Sequence, residues 1–521
     1  MTIRFLVLNI KEYAKAVTPN AVQLEPNNWD DYSFKTLFNV VYHDSVGKRH
    51  ELGSTKIGHK GQSTGWTLDE IPRSFDRLPD GWFSLGQDVE YYEKAFRELN
   101  PTEREEILTG LRDVAADDAI LQLVQEETVF QTSLMRNVGR SVLLGQFRRA
   151  LKGEAILNDF DFIYKDDGGQ KRAPIKLRFQ VTAESKPPTN IHAIIGRNGV
   201  GKTTLLNNMV KSLLPTQDTP KAGGKFSLPQ SLFQSTWPAN YFSSVVSVSF
   251  SVFDPFVPPP DQPDQGLGLR YFYIGMKKAR ASADPQQPSQ LKQEPDLIAD
   301  FLRSFESCLS QHAKKRRWAQ AIARLCSDDN FAEMNLAELL DLPAEQALEK
   351  AQSKLERMSS GHKIVLLTMT SLVNTVEEKT LVLLDEPESH LHPPLLSAFT
   401  RALSDLLYSR NGVAIVATHS PVVVQEVPKS CVWILNRSRL EGRSDRPVRE
   451  SFGENVGALT RDIFGLEVNK SGFHELIQSS VAQGGDFDQI MRDYSNKLGV
   501  EAQTILMSLI YARDKDGTAG P

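Results

Sequence analysis

Gly196-Arg197-Asn198-Gly199-Val200-Gly201-Lys202-Thr203-Thr204 follows directly on the apolar run Ile191–Ile195. This is G-x-x-x-x-G-K-[ST] at the end of a predicted buried strand, and Leu205–Leu214 reads as the helix behind it. Gly196, Gly199 and Gly201 allow backbone conformations that side chains forbid, so successive N–H groups of the loop, from Arg197 and Asn198 through Val200 to Thr204, can turn inward around an anion. The following helix points its positive end at the same place. Lys202 is positioned for the β- and γ-phosphates of a bound ATP, and the Thr203 hydroxyl for Mg²⁺. The stretch therefore predicts a nucleotide site.

Three further segments fit around it. Met358-Ser359-Ser360-Gly361-His362 precedes an apolar helix, Ile364–Val373. The strand Thr380–Leu384 runs into Asp385 and Glu386, then Pro387-Glu388-Ser389-His390-Leu391-His392-Pro393. A last strand, Val413–Ala417, ends at Thr418-His419-Ser420. Asp385, at a strand end, suits the hydration shell of Mg²⁺. Glu386, one residue on, faces the other way and suits the orientation or deprotonation of an attacking water. His419 could donate to a γ-phosphate and sense its presence. Ser359, Ser360 and Gly361 make a second N–H-rich helix start suited to phosphate.

In that order, these segments (Gly196–Thr204, Met358–His362, Leu381–Pro393 and Ala417–Pro421) resemble the AAA-type branch of ABC-type ATPases, which holds RecF, the SMC/Rad50 relatives and the OLD-family proteins. The Asp-Glu-Pro-Glu-x-His-Leu-His-Pro run and the Thr-His-Ser-Pro ending are most like OLD-type members. Neither a long coiled coil, as in SMC proteins, nor a C-terminal Toprim-type nuclease, as in OLD enzymes, is expected. The run Ser451–Leu466 looks like the stand-alone ATPase subunits of Septu and retron-type antiphage systems, which work beside an HNH nuclease. The resemblance implies an α/β, ABC-type P-loop ATPase head with a mixed or parallel sheet. It also implies a head-to-tail dimer in which Ser359–Gly361 meets the ATP of the opposite subunit, and ATP hydrolysis as the activity. A larger assembly and a separate nuclease subunit are the further partners it suggests, with DNA or RNA as the sensed molecule.

At 521 residues the chain is long enough for several domains. The expected division is an N-terminal α+β extension over 1–155, a core lobe with the phosphate loop over 156–275, and a helical insertion over 276–345. The rest of the core follows over 346–475, with a helical tail over 476–521. Within the extension, Asn100 caps and Pro101 opens a predicted helix, Pro101–Ala115. A net charge of −5 excludes a surface that is basic throughout, so any nucleic-acid contact must be local. The candidates are Lys277, Lys278 and Arg280, then Lys314–Arg317 beside Trp318, and Arg437–Arg449, with Lys314–Arg317 preferred because it lies on the insertion. Cys308, Cys326 and Cys431 are scattered without metal spacing and read as buried thiols. No apolar run approaches the roughly 20 residues of a membrane span, and Met1–Ile10 lacks the pattern of a signal peptide. A cytoplasmic protein without a membrane partner is expected.

Several assignments stay open at this level. The glutamine loop of ABC-type enzymes has only Gln262 and Gln265 as candidates, and Phe162 or Tyr164 are candidates for stacking on adenine. His390 and His392 with Glu388 have the look of metal ligands, although a loop crossing the dimer interface accounts for them better. Asp514-Lys515-Asp516 reads as a solvated tail. Two other functions compete with a nuclease-linked switch. One is a RecF-like repair or recombination ATPase without a nuclease. The other is a transporter ATP-binding subunit, which the N-terminal extension and the Glu-Ser-His-Leu-His loop argue against.

Overall fold

The structure is a computed structural model that describes residues 3–10, 12, 17–136, 138–140, 142–153, 157–168, 173–214, 223–229, 237–238, 241–251, 254, 256–263, 268–278, 290–438, 441–468 and 472–517. Its centre is a seven-stranded sheet. The spatial order is Arg270–Gly275, Ser244–Ser249, Thr380–Asp385, Val413–Thr418, Ile191–Gly196, Val432–Ser438 and Glu441–Asp445. Every neighbouring pair is parallel except the last, which is a hairpin. Parallel strands need cover on both faces, which is why these segments read as continuous apolar runs. Alternation still sorts the side chains: Ile191, Ala193 and Ile195 pack toward the helical side, and Ile194 toward the other. Burying one such aliphatic side chain contributes about 1.5–3 kcal/mol.

The second face is covered by the helix Lys202–Leu213 and by a three-stranded antiparallel sheet of Phe160–Asp166, Ile175–Val181 and Lys225–Ser227. These strands therefore form a separate layer and do not extend the Ile191 sheet. The first face carries the helices Glu294–Ser310, His312–Leu325, Ala344–Arg357, Ser360–Thr375 and Pro393–Ser409 around one continuous apolar core. A small third core joins the helices Phe473–Ala482, Phe487–Asp493 and Val500–Gly517, the last of which contains Asp514 and Lys515. Among the described residues, no helix is long and apolar enough to cross a membrane.

The N-terminal segment builds its own six-stranded sheet and core. Its helix starts at Pro101 with a complete capping box from Asn100 and Glu103, but it ends at Gly110, five residues short of the sequence expectation. A Cβ on Gly110 would lie 2.4 Å from the Phe5 ring, and Arg112 adopts a left-handed φ of 50°, so close packing turns the chain away.

Charge fixes this unit to the rest. Asp88 caps the helix Val89–Glu98 and accepts from Arg317 at 2.8 Å and from Arg410 at 3.2 Å. Burial alone would raise its carboxyl, but the two guanidinium groups hold it well below the usual range. Arg149 adds a 2.9 Å pair with Glu378. Asp88→Ala leaves two buried cations without their shared partner and should destabilise the protein by about 3–5 kcal/mol, read as a lower denaturation midpoint.

Candidate functional site

The parallel register brings three strand ends to one edge. Asp385 lies beside Ala417 and Ser249, and Ile195 beside Thr418. The loops leaving these ends carry the predicted chemistry, as the crevice at the carboxyl edge of an open α/β sheet generally does.

The phosphate loop turns as its glycines require. Gly199 and Gly201 have φ of 79° and 92°, and Gly201 caps the helix that Lys202 opens. Gly196 is needed for a different reason, since a Cβ there would fall 2.4 Å from the Leu435 carbonyl oxygen. Around Gly199 such an atom would meet nothing within 4 Å, so the mouth of the cradle is open. Val200 is buried beneath the loop, while Arg197, Asn198 and Gly199 are exposed. Thr203 and Thr204 sit in the first turn of the helix.

Lys202 is almost fully buried, and its Nζ donates to the carbonyl oxygens of Gly196 at 3.1 Å and Arg197 at 3.3 Å. It also lies 2.5 Å from Nε2 of His419, which in turn is 3.2 Å from Oε1 of Glu386. Burial depresses the ammonium, and Glu386, Asp385 and Glu388 counter it. Burial and then Lys202 likewise push the imidazole down, favouring neutral His419. Glu386 adopts a left-handed φ of 45°, which turns its side chain away from the strand direction toward His419. The backbone N–H of His419 donates to Glu388, a role that the sequence, which suggested Glu388 only as a neighbour of His390 and His392, did not announce.

Asp385 is the acid best suited to a cation. Burial pushes its carboxyl up to about 7; a hydrogen bond from Thr203 opposes this, and the like charges of Glu386 and Asp254 add to it. Its Oδ1 is buried without a hydrogen-bond partner. A buried oxygen left open beside a threonine hydroxyl, and a lysine in a ring of carbonyl groups, are what an Mg²⁺-nucleotide would complete. The residues fit that group. Lys202 and the loop N–H groups would hold the phosphates, and Thr203 with Asp385 the metal shell. Bound Mg²⁺ would supply charge neutralisation across the phosphates.

Ser359 caps the helix Ser360–Thr375, with its Oγ accepting from the His362 N–H. Gly361 lies under the His390 carbonyl oxygen, 2.5 Å from where a Cβ would sit. Among the described residues, no hydrogen bond or ion pair links Ser359–Gly361 to the Gly196–Thr204 loop of the same chain. His362 and His392 instead share Asp328, at 3.3 Å and 2.9 Å. Nothing in the spacing of those three residues announced that bridge. No group of three or more potential metal ligands occurs among the described residues.

Other expectations require correction. Phe162 and Tyr164 are fully buried on the inward face of their strand, so neither is open to an adenine ring. Gln262 bridges to Tyr271, and its side chain donates to the Leu269 carbonyl oxygen, away from the phosphate loop; Gln265 lies outside the described residues. The preferred nucleic-acid patch is not a free basic face. Lys314 and Arg317 are buried and bound to Asn374 and Asp88, Lys315 donates to Leu340 O, and Arg316 pairs with Glu90. An amphipathic helix docking on the N-terminal unit consumed that charge. Lys277 is likewise buried against Asp254 and Phe256, Lys278 pairs with Asp296, and Arg280 lies outside the described residues. Arg443 and Arg449 pair with Asp445 and Asp462, while Arg446 stacks on Trp433. Cys308 and Cys431 are buried, but Cys326 is half-buried.

Fold and edge together have the layout of the ABC ATPase-like α/β class: a parallel sheet with a phosphate loop and an Asp-Glu strand end at one edge. Residues 334–425 match a family described as "AAA domain, putative AbiEii toxin, Type IV TA system". Protein ea59 of Escherichia phage lambda is 42% identical over 531 residues, spanning 98% of this chain and 99% of that protein, so the chain belongs to the ea59 family. Among solved structures, an ATP-binding cassette of an ABC transporter in its ADP conformation is 13% identical (60% of this chain, 100% of that chain, TM-score 0.30). UvrA2 from Deinococcus radiodurans is 12% identical (59% and 40%, TM-score 0.29).

Two outcomes follow from this geometry. Lys202→Ala removes the buried side-chain cation of the cradle and should reduce binding of a fluorescent ATP analogue by about a hundredfold or more, read by anisotropy. Asp385 holds its proton more tightly folded than unfolded. Its contribution is therefore fully present below the ordinary carboxylate value and is lost as pH rises to about 7. Asp385→Asn should accordingly raise the melting temperature of the nucleotide-free protein above pH 7, by roughly 2–4 °C or more. That gain should shrink steadily as pH falls, as scanning calorimetry across the range would record.

Proposed function

We propose that this chain binds and hydrolyses ATP with Mg²⁺ at a head-to-tail interface between two copies, and that closure of the dimer regulates a separate nuclease. The observation that carries the reading is the incompleteness of each site within one chain. The phosphate loop, Asp385, Glu386 and His419 are assembled at one sheet edge, whereas Ser359 and Ser360 are exposed at a helix start that bonds to no part of that loop. A second copy offering its helix start to the open mouth of the cradle would supply the missing N–H groups and enclose the nucleotide. Glu386, steered by its left-handed backbone to His419, would then orient or deprotonate the attacking water, and His419 would register the γ-phosphate.

The nuclease partner, of HNH type, and a role in antiphage defence rest on the likeness of Ser451–Leu466 to stand-alone ATPase subunits of such systems. One relative is a protein of Escherichia phage lambda, and a phage gains from excluding its competitors. Affinity purification from a native host, with identification of what travels with the chain, tests this part separately.

The dimer has its own test. Glu386→Gln should retain ATP affinity, lose hydrolysis and accumulate as a dimer at saturating ATP, as measured by multi-angle light scattering and phosphate release. A monomer under those conditions would refute the shared site while leaving nucleotide binding intact.

A further inference from the structure

A second concave site opens at the opposite edge of the central sheet. Arg270 begins its strand in register with Ser244 and Thr380, and Asp385 ends that third strand five residues later. At about 3.3 Å per residue, the two sites stand roughly 16 Å apart along the strands. At the Arg270 end lies a cavity of about 800 Å³, walled by the N-terminal unit on one side and by the end of the Ser360–Thr375 helix and its neighbours on the other. That size falls within the roughly 300–1,000 Å³ typical of small-molecule sites.

Arg270 is the anomaly. It is 3% exposed, yet its Nε and Nη2 have no hydrogen-bond partner. The acid that faces it, Glu377, spends its carboxylate on Arg410. A buried guanidinium with two of its three nitrogens left without acceptors is costly and is retained where something from outside the chain supplies them. The cavity wall adds Arg136, Arg140 and Arg303 against the single carboxylate of Glu377. Of these, Arg136 is bound to Asp31 at 2.7 Å, Arg140 reaches Gln125 Oε1 at 3.5 Å, and Arg303 is largely exposed, 3.5 Å from Asp300. Trp29 and Tyr32, with the Arg136 guanidinium over their rings, line the N-terminal side together with the buried Phe130, and Phe272 lines the sheet side. Guanidinium groups recognise phosphate by forked hydrogen bonding, and ring faces recognise planar bases.

We propose that this cavity binds a mononucleotide, with its phosphate on Arg270 and its base against the aromatic wall. An inorganic anion alone would leave those rings unused. The site is separate from the phosphate loop and does not depend on how that loop works.

The test is equilibrium dialysis of labelled AMP against the full-length Lys202→Ala protein, in which the phosphate loop is disabled. One saturable site per chain is expected. Arg270→Met should weaken it tenfold or more, and Arg303→Gln several-fold. Because a buried cation whose Nε and Nη2 lack acceptors is a net cost to the fold, Arg270→Met should also keep or raise the melting temperature, whereas a structural arginine would lower it. If that variant fails to fold, the exposed Arg303→Gln decides the comparison. The proposal is overturned by absence of saturable AMP binding, or by affinity that both arginine variants leave unchanged. Inorganic phosphate competing as well as AMP, or occupancy only by a 5′-phosphorylated oligonucleotide, would overturn it as well.

Discussion

One buried ammonium organises the nucleotide edge of this protein. Lys202 is almost fully enclosed, and the groups that reach it come from three different strand ends: carbonyl oxygens of Gly196 and Arg197, the ring of His419, and the field of Asp385, Glu386 and Glu388. A desolvated cation is expensive unless its surroundings are fixed. The fixing is done by the parallel register of Ile191–Gly196, Val413–Thr418 and Thr380–Asp385, which stops all three strands at the same level. Slip any one of them by a residue and its side chains exchange faces, so the apolar core on both sides of the sheet guards the register of the polar edge.

The same dependence explains what the sequence made readable. Segments with their own local logic could be placed from residue types alone: the glycine-lysine loop, the capped helix at Pro101, the apolar strands ending in Asp385 and Thr418. Their periodicity and caps involve residues only a few positions apart. The errors arose where a side chain's fate depends on an element far away in the chain. Lys314–Arg317 has the composition of a solvated basic face, but Asp88, more than two hundred residues earlier, claims Arg317. Phe162 and Tyr164 have the ring chemistry for base stacking, but the antiparallel partner strands decide which face is inward.

Asp328 illustrates a third category, functional architecture with no local sequence signal. It caps a short helix by accepting from the Phe331 N–H, an ordinary task. The same carboxylate receives His362, two residues past the Ser359-Ser360 pair, and His392, past the Asp385-Glu386 pair. Burial acts to raise its pKa, and the Phe331 N–H and the two imidazoles hold it lowered. One acid thereby connects the helix start that stands open to solvent with the loop that leaves the Thr380–Asp385 strand. The bridge lies within one chain, so the relative position of those two segments is set without any partner.

That arrangement bears on how the molecule divides its work. The Ser360–Thr375 helix carries the open Ser-Gly start at one end, and its other end lines the cavity that holds Arg270. Sixteen residues of helix span about 24 Å and transmit a displacement as a nearly rigid rod. The helix is packed along its length against the Glu294–Ser310 and His312–Leu325 helices, through Cys308, Trp318 and Leu366 among others, so it cannot shift alone. An occupant at the Arg270 end would therefore act on the same rigid element whose other end carries Ser359 and Ser360, the helix start that the proposed dimer would use. The N-terminal unit, fastened to that bundle through Asp88, would move with it rather than independently.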